Sequence, residues 1–140
     1  MLLDSNIVVY SINDSSPKNR KAQNFIQKFK DKLFIAHQNV FESLRILTHK
    51  KFPNPMNSTD AIYSINKIAK AIKIIKPNFD SFYLALELIK KYQLKSDQVF
   101  DAYLVGTAIS NNIQTIATDN DKDFKKIAEI NTYNPFSNSN

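Results

Sequence analysis

The sequence predicts an α/β fold, a sandwich with a central, mostly parallel sheet. Short apolar runs alternate with longer segments whose apolar residues recur at helical spacing. The runs stop at polar residues and are followed by helices, as parallel strands joined by crossovers are. The only glycine is Gly106, so no glycine-rich phosphate loop can be built, and P-loop and dinucleotide folds are disfavoured.

Leu2-Leu3 reads as a short buried strand ending in Asp4-Ser5-Asn6, and Ile7 to Ile12 continues the packing as a turn or short helix. Pro17 suits a helix start, where its missing N–H is not needed. Ala22, Phe25, Ile26 and Phe29 then mark a helix from about Lys18 to Lys30. Lys32 to Ala36 is a second strand. Gln38-Asn39 caps the next helix, whose apolar positions are Val40, Phe41, Leu44, Ile46 and Leu47. Pro53 and Pro55 end that pattern. Asp60 to Ala71 is amphipathic, with Ile62, Ile65, Ile68, Ala69 and Ile72 inward, and Ile72 to Ile75 is an edge or third strand.

Ser81 to Tyr92 forms a helix on Phe82, Leu84, Ala85, Leu88 and Ile89. Ser96 or Asp97 caps the next, Val99 to Ser110, where Phe100, Ala102, Leu104, Val105, Ala108 and Ile109 leave little polar face, so it is central. Gly106 weakens that helix by about 1 kcal/mol relative to alanine, which predicts a close approach by a neighbouring element. Gln114 to Ala117 is a strand, Asp123 to Ile127 a short helix, Glu129 to Tyr133 a last strand, and residues 135–140 a loose tail.

With 43% hydrophobic residues in 140, the chain can bury a core and fits one domain. The absence of cysteine removes disulfides, thiolate metal sites and cysteine nucleophiles. The opening Met1-Leu2-Leu3-Asp4 has no basic n-region, and no stretch reaches the about 18 apolar residues of a membrane span, so no membrane association and a cytoplasmic location are expected. The net charge of +6 comes from lysines spread along the chain, which a soluble surface explains as well as attraction to phosphate does.

The acids are more informative. Asp4 follows the first strand, where open parallel sheets gather ligand sites; a turn-forming aspartate would also sit there. Glu42 interrupts an apolar helical pattern, with Arg45 as a candidate partner one turn on. Asp101 opens the most apolar helix; the helix dipole favours an acid there, yet Leu104, Val105 and Ala108 lie on its side and turn it toward the core. Thr118-Asp119-Asn120-Asp121-Lys122-Asp123-Phe124 follows a strand and suits either a solvated loop or a metal-binding rim. If the sheet brings these acids to one edge, they repel, and a hard divalent cation resolves the repulsion; oxygen-only ligands suit Mg²⁺ or Mn²⁺. His37 and His49 form no metalloprotease pattern, so zinc fits less well.

These pieces together resemble the PIN-domain ribonucleases, and within them the VapC-type toxins of toxin–antitoxin pairs. The match runs through Asp4-Ser5-Asn6, Asn39-Val40-Phe41-Glu42, Phe100-Asp101-Ala102 and Thr118 to Phe124, and the stretch Thr48 to Pro55 is similar to one branch of these toxins. The resemblance implies a PIN-like three-layer α/β/α sandwich over residues 1–134. It implies a Mg²⁺- or Mn²⁺-dependent endoribonuclease hydrolysing phosphodiester bonds. Asp4 and Asp101 would hold the first metal; Glu42 and Asp119 would complete the acidic pocket, with Asp121 the alternate, Asp123 an outer ligand, and Asn6, Thr118 and Asn120 in support. The fourth position stays open among Asp119, Asn120 and Asp121. A cognate antitoxin protein, a homodimer, and contact with DNA only through the antitoxin are implied too. An RNA-processing nuclease that is not a toxin, and a module that binds RNA without cutting it, are the alternatives.

Overall fold

The computed structural model describes residues 1–137. Five strands form one sheet in the order β3-β2-β1-β4-β5, every neighbouring pair parallel. They are β1 (Leu2–Leu3), β2 (Phe34–Ala36), β3 (Lys73–Ile75), β4 (Thr115–Ala117) and β5 (Asn131–Tyr133). Six helices flank them: α1 (Ser5–Ile12), α2 (Asn19–Phe29), α3 (His37–Leu47), α4 (Ser58–Ala71), α5 (Phe79–Tyr92) and α6 (Gln98–Ser110). This is the three-layer α/β/α sandwich that the resemblance implies.

The period-2 pleat divides the core. Leu2, Ala36 and Ile116 join Leu88, Ala102, Leu104, Val105 and Ala108 on the face covered by α5 and α6. Leu3, Ile35 and Ala117 join Ile7, Val8, Ala22, Phe25 and Ile26 on the face covered by α1 and α2. Val9, Leu47, Ala61 and Ile65 seal α1, α3 and α4 together.

Local chemistry sets most helix ends. Asp4 starts α1 by accepting from Ser5 N–H, Asn57 starts α4 by accepting from Asp60 N–H, and Asn78 and Ser81 form a reciprocal capping box at α5. Gly106 meets the expectation of a close neighbour: a Cβ there would lie 2.7 Å from Ser81 O and 3.1 Å from Ala85 N, both backbone atoms of α5.

Several local expectations are corrected. Helix α3 begins at His37 after an extended Ala36 with no side-chain cap, so Gln38 and Asn39 lie inside its first turn, Asn39 fully buried. Asp97 precedes α6 without capping it. Phe41, Ile62, Phe82 and Phe100 are exposed rather than inward. A single 3-10 turn at Asp121–Asp123 replaces the short helix expected from Asp123 to Ile127, because Phe124 and Ile127 bury themselves from a turn. At the chain end, Phe136 packs edge-on against Tyr10 with ring centroids 5.6 Å apart. The rest of the expected tail, 138–140, lies outside the described residues. Among the described residues no helix is long and apolar enough to cross a membrane.

Candidate active site

Strand order reverses at β1: the chain moves outward through β2 and β3, then returns to place β4 on the other side of β1. In open α/β sheets the crevice beyond the strands' carboxyl ends at such a reversal is where ligands bind. Asp4 follows β1 and Thr118 follows β4, so the two ends of the chain meet there. Thr118 Oγ1 donates to Asp4 Oδ2 at 2.7 Å, and Asn6 Nδ2 donates to the same oxygen at 2.9 Å. Ser5 N–H donates to Asp4 Oδ1 at 2.7 Å. Asn6 Oδ1 accepts from Asp119 N–H and Thr118 Oγ1 from Asn120 N–H, which ties the loop after β4 to α1.

A cavity of about 610 Å³ opens over this junction. Into it face Asp4, Glu42 from α3, Asp97 and Asp101 from the start of α6, and Asn120 and Asp123 from the loop after β4. Gln38 Nε2 bridges α3 to α6 by donating to Glu42 Oε1 at 2.8 Å and to Phe100 O at 3.1 Å.

The electrostatics are those of crowded, unneutralised acids. Burial pushes the Asp4 carboxyl above its ordinary value; hydrogen bonds from Thr118 and Ser5 oppose the rise, and the charge of Glu42 adds to it. Asp101 is pushed up to about 7, first by burial and then by the charges of Asp123, Asp4, Glu42 and Asp97. Arg45 is the only cation in the lining, and the ion pairs among the described residues, Lys18–Asp119, Lys91–Glu129 and Lys125–Asp121, do not involve it. The expected Glu42–Arg45 pair is therefore not formed.

The structure brings Asp4, Glu42, Asp101, Asn6, Asn120 and Asp123 to one cavity and leaves Asp119 and Asp121 outside its lining. Asp119 is turned to Lys18, which donates to it, and to the Tyr10 hydroxyl at 3.0 Å. Burial would raise the Asp119 pKa, but these donors outweigh it and hold the carboxyl below its usual range. The same contact helps push Tyr10 up to about 12, after burial. Asp121 pairs with Lys125 at 3.6 Å along its own turn. The sequence offers Asp97 as a cap and Arg45 as a partner of Glu42; the signal for their place at the cavity is their spacing, one helical turn from Asp101 and Glu42.

The donor set is oxygen-only, which fits a hard divalent cation, and the raised Asp4 and Asp101 are carboxylates that such a charge would relieve. As the side chains stand, no three acid, histidine or cysteine groups among the described residues form a ready metal-holding cluster.

The profile of the PIN domain matches residues 1–130. No curated protein matches the chain. Among solved structures, DNA-bound VapBC from Salmonella typhimurium is similar with a TM-score of 0.72 at 13% identity, covering 96% of each chain. VapBC2 from Rickettsia felis, bound to a DNA fragment from its promoter, gives 0.71 at 20% identity over 95% of this chain and 96% of that one. A toxin–antitoxin complex from Klebsiella pneumoniae gives 0.68 at 20% identity over 97% and 98%. These likenesses establish a shared fold, and the profile match establishes the family: the chain belongs to the PIN-domain family.

Proposed function

We propose that this chain is a Mg²⁺- or Mn²⁺-dependent endoribonuclease acting as the toxin of a toxin–antitoxin pair. The observation that carries the reading is the cavity lined by Asp4, Glu42, Asp101 and Asp123, drawn from both ends of the sequence, none of them in an ion pair among the described residues. The toxin role is supported by the similar VapBC and toxin–antitoxin structures. A cognate antitoxin that inhibits it, a homodimer, contact with DNA only through the antitoxin, and a cytoplasmic location belong to the same reading.

Asp4, Glu42, Asp101 and Asp123 are the residues that would hold the ion, and Asp97 adds charge beside them. The chemistry such an ion supplies is activation of water for attack on the phosphodiester and neutralisation of charge on the phosphoryl group. Asp4 is held in one orientation by Ser5, Asn6 and Thr118, so its free lone pairs are aimed before any ligand arrives. With its carboxyl pushed up to about 7, Asp101 is only partly ionised at neutral pH, and a bound positive charge would displace the remaining proton. Asn120 Nδ2 donates to Asp123 Oδ2, which steadies the carboxylate that takes the fourth position.

RNA cleavage in Mn²⁺, abolished by chelation, is the expected result; an intact, folded chain that cuts no RNA in either metal overturns the reading. Metal should also register without activity. At pH 8, Mn²⁺ at about 100 times its dissociation constant should stabilise the fold by about 2.7 kcal/mol, seen as a higher Tm. At pH 5.5, where Asp101 holds its proton, the increase should shrink.

The fourth acid is separable by substitution. Asp123→Asn should lower kcat at least about tenfold. Asp119→Asn should keep activity within about threefold while losing roughly 1 kcal/mol of stability at pH 7, since solvent reaching the partly exposed Lys18 weakens its pair with Asp119. The Asp119 carboxyl is depressed in the folded state, so this stability is present above its unfolded pKa and fades as pH falls through the folded one. Denaturant melts at pH 7 and pH 3 test the trend.

A further inference from the structure

An acidic cavity repels the polyanion it is read as cutting, so the substrate needs a cationic hold close by. Arg45 lines the acidic cavity and also a second cavity of about 280 Å³, whose other walls are Ile46, His49, Lys51, Phe52 and Pro53. The two spaces thus adjoin at Arg45. The second is opposite in character: Arg45, His49 and Lys51 are exposed, none is in an ion pair among the described residues, and no acid lines it.

The loop that builds this cavity is fixed by its backbone. Phe52 N–H donates to His49 O at 2.8 Å, and Met56 N–H donates back to Leu47 O at the end of α3 at 2.9 Å. Asn54 takes the left-handed conformation, φ 54°, that closes the turn between Pro53 and Pro55. Lys51 N–H donates to His49 Nδ1 at 3.1 Å, so in neutral His49 the proton sits on Nε2, as a donor. Phe52 is half-buried and presents an aromatic surface beside these donors.

We propose that the cavity at the end of α3 is an RNA subsite that takes the nucleotide flanking the scissile bond. Arg45 and Lys51 hold its phosphates, His49 donates from Nε2, and Phe52 stacks on its base. Arg45, at the junction, holds the phosphate nearest the cut. Single-stranded RNA suits the site, because an unpaired base can reach an aromatic face and a paired one cannot. The subsite rests on the nuclease reading above, and its failure is separable from the failure of that reading.

The test is steady-state cleavage of a labelled single-stranded oligoribonucleotide in Mn²⁺ across a salt series. Each phosphate released from a single strand changes the slope of log affinity against log salt by about 0.7, which at 0.1 M salt is about fivefold in affinity. Arg45→Gln and Lys51→Gln should each raise KM about fivefold and flatten the salt dependence of kcat/KM by that increment. Lys51→Arg should restore both, and Phe52→Leu should raise KM without changing the slope. Lys90→Gln, an exposed lysine in the last turn of α5, is the control for general surface charge. Parental KM and slope in Arg45→Gln and Lys51→Gln, or an equal change in Lys90→Gln, overturn the subsite while cleavage by the parent chain keeps the nuclease reading. A folded parent chain that cuts no RNA overturns both.

Discussion

Asp101→Asn should abolish RNA cleavage and, in the absence of metal at pH 8, melt higher than the parent chain. The two effects have one cause. Asp101 is pushed up to about 7 by burial and by four neighbouring carboxylates, whereas in the unfolded chain it titrates near the ordinary aspartate value of about 3.9. Between those values the folded state binds the extra proton, so stability falls as pH rises from about 4 to about 7, and the deficit is complete above that. Asparagine keeps the shape and removes the charge. Allowing for the partial solvent access of the side chain, the gain is about 1 kcal/mol, or roughly 3 °C in Tm at pH 8, vanishing at pH 4. The loss of activity should be at least about a hundredfold in kcat, since a ligand and its charge are both removed. Adding Mn²⁺ should reverse the order of the two melting curves, because only the parent chain converts the repulsion into binding. A variant that melts like the parent at every pH would remove Asp101 from the strained cluster; one that still cuts would remove it from the site.

This trade between stability and charge explains what could be read in advance. Asp4, Glu42 and Asp101 each interrupt an apolar pattern, and an acid in such a place is visible without coordinates. The strands were equally legible, since Leu2-Leu3 and the run ending at Ala117 leave few alternatives to burial. The loop from Asp119 to Asp123 was different. Three acids in five residues look alike by type and spacing, and what separates them is a contact made a hundred residues away. Lys18, flanked by the rings of Tyr10 and Phe136, each 5.2 Å from its Nζ, draws Asp119 out of the cavity lining. Asp123 is left as the acid that faces the cavity. Phe41 and Phe100 differ in another way. Each immediately precedes an acid of the cavity and is exposed, Phe100 in the cavity lining, and helical periodicity cannot tell such an aromatic from one in a core. The α3 boundary was missed because polar residues suggested a cap, while Asn39 is buried within the first turn.

Gly106→Ala should destabilise the fold by about 2–3 kcal/mol, although alanine is the better helix former by about 1 kcal/mol. The sign is decided by what the new methyl group would meet. Its Cβ would stand 2.7 Å from Ser81 O, closer than atoms that are not hydrogen-bonded can stay, and that oxygen belongs to the backbone of α5. No rotamer change relieves such a contact; α5 and α6 must separate. Their present approach is fastened by the Ser81 and Ser110 hydroxyls, 2.6 Å apart, and by Asn78 Nδ2 donating to Ser110 O at 3.1 Å. A thermal melt should fall by roughly 6–9 °C. Ala85→Gly should give no rescue, because removing the Ala85 methyl leaves the Ser81 oxygen where it is; recovery in the double variant would place the conflict at Ala85 instead. The consequence reaches the active site through α6 itself. Asp97 and Asp101 ride on the start of the helix whose middle carries Gly106, so a displaced α6 carries both acids out of register with Asp4 and Glu42. Even at a temperature where the variant remains folded, its cleavage rate should therefore fall by about tenfold or more, as expected when a reacting group is misplaced by about 1 Å.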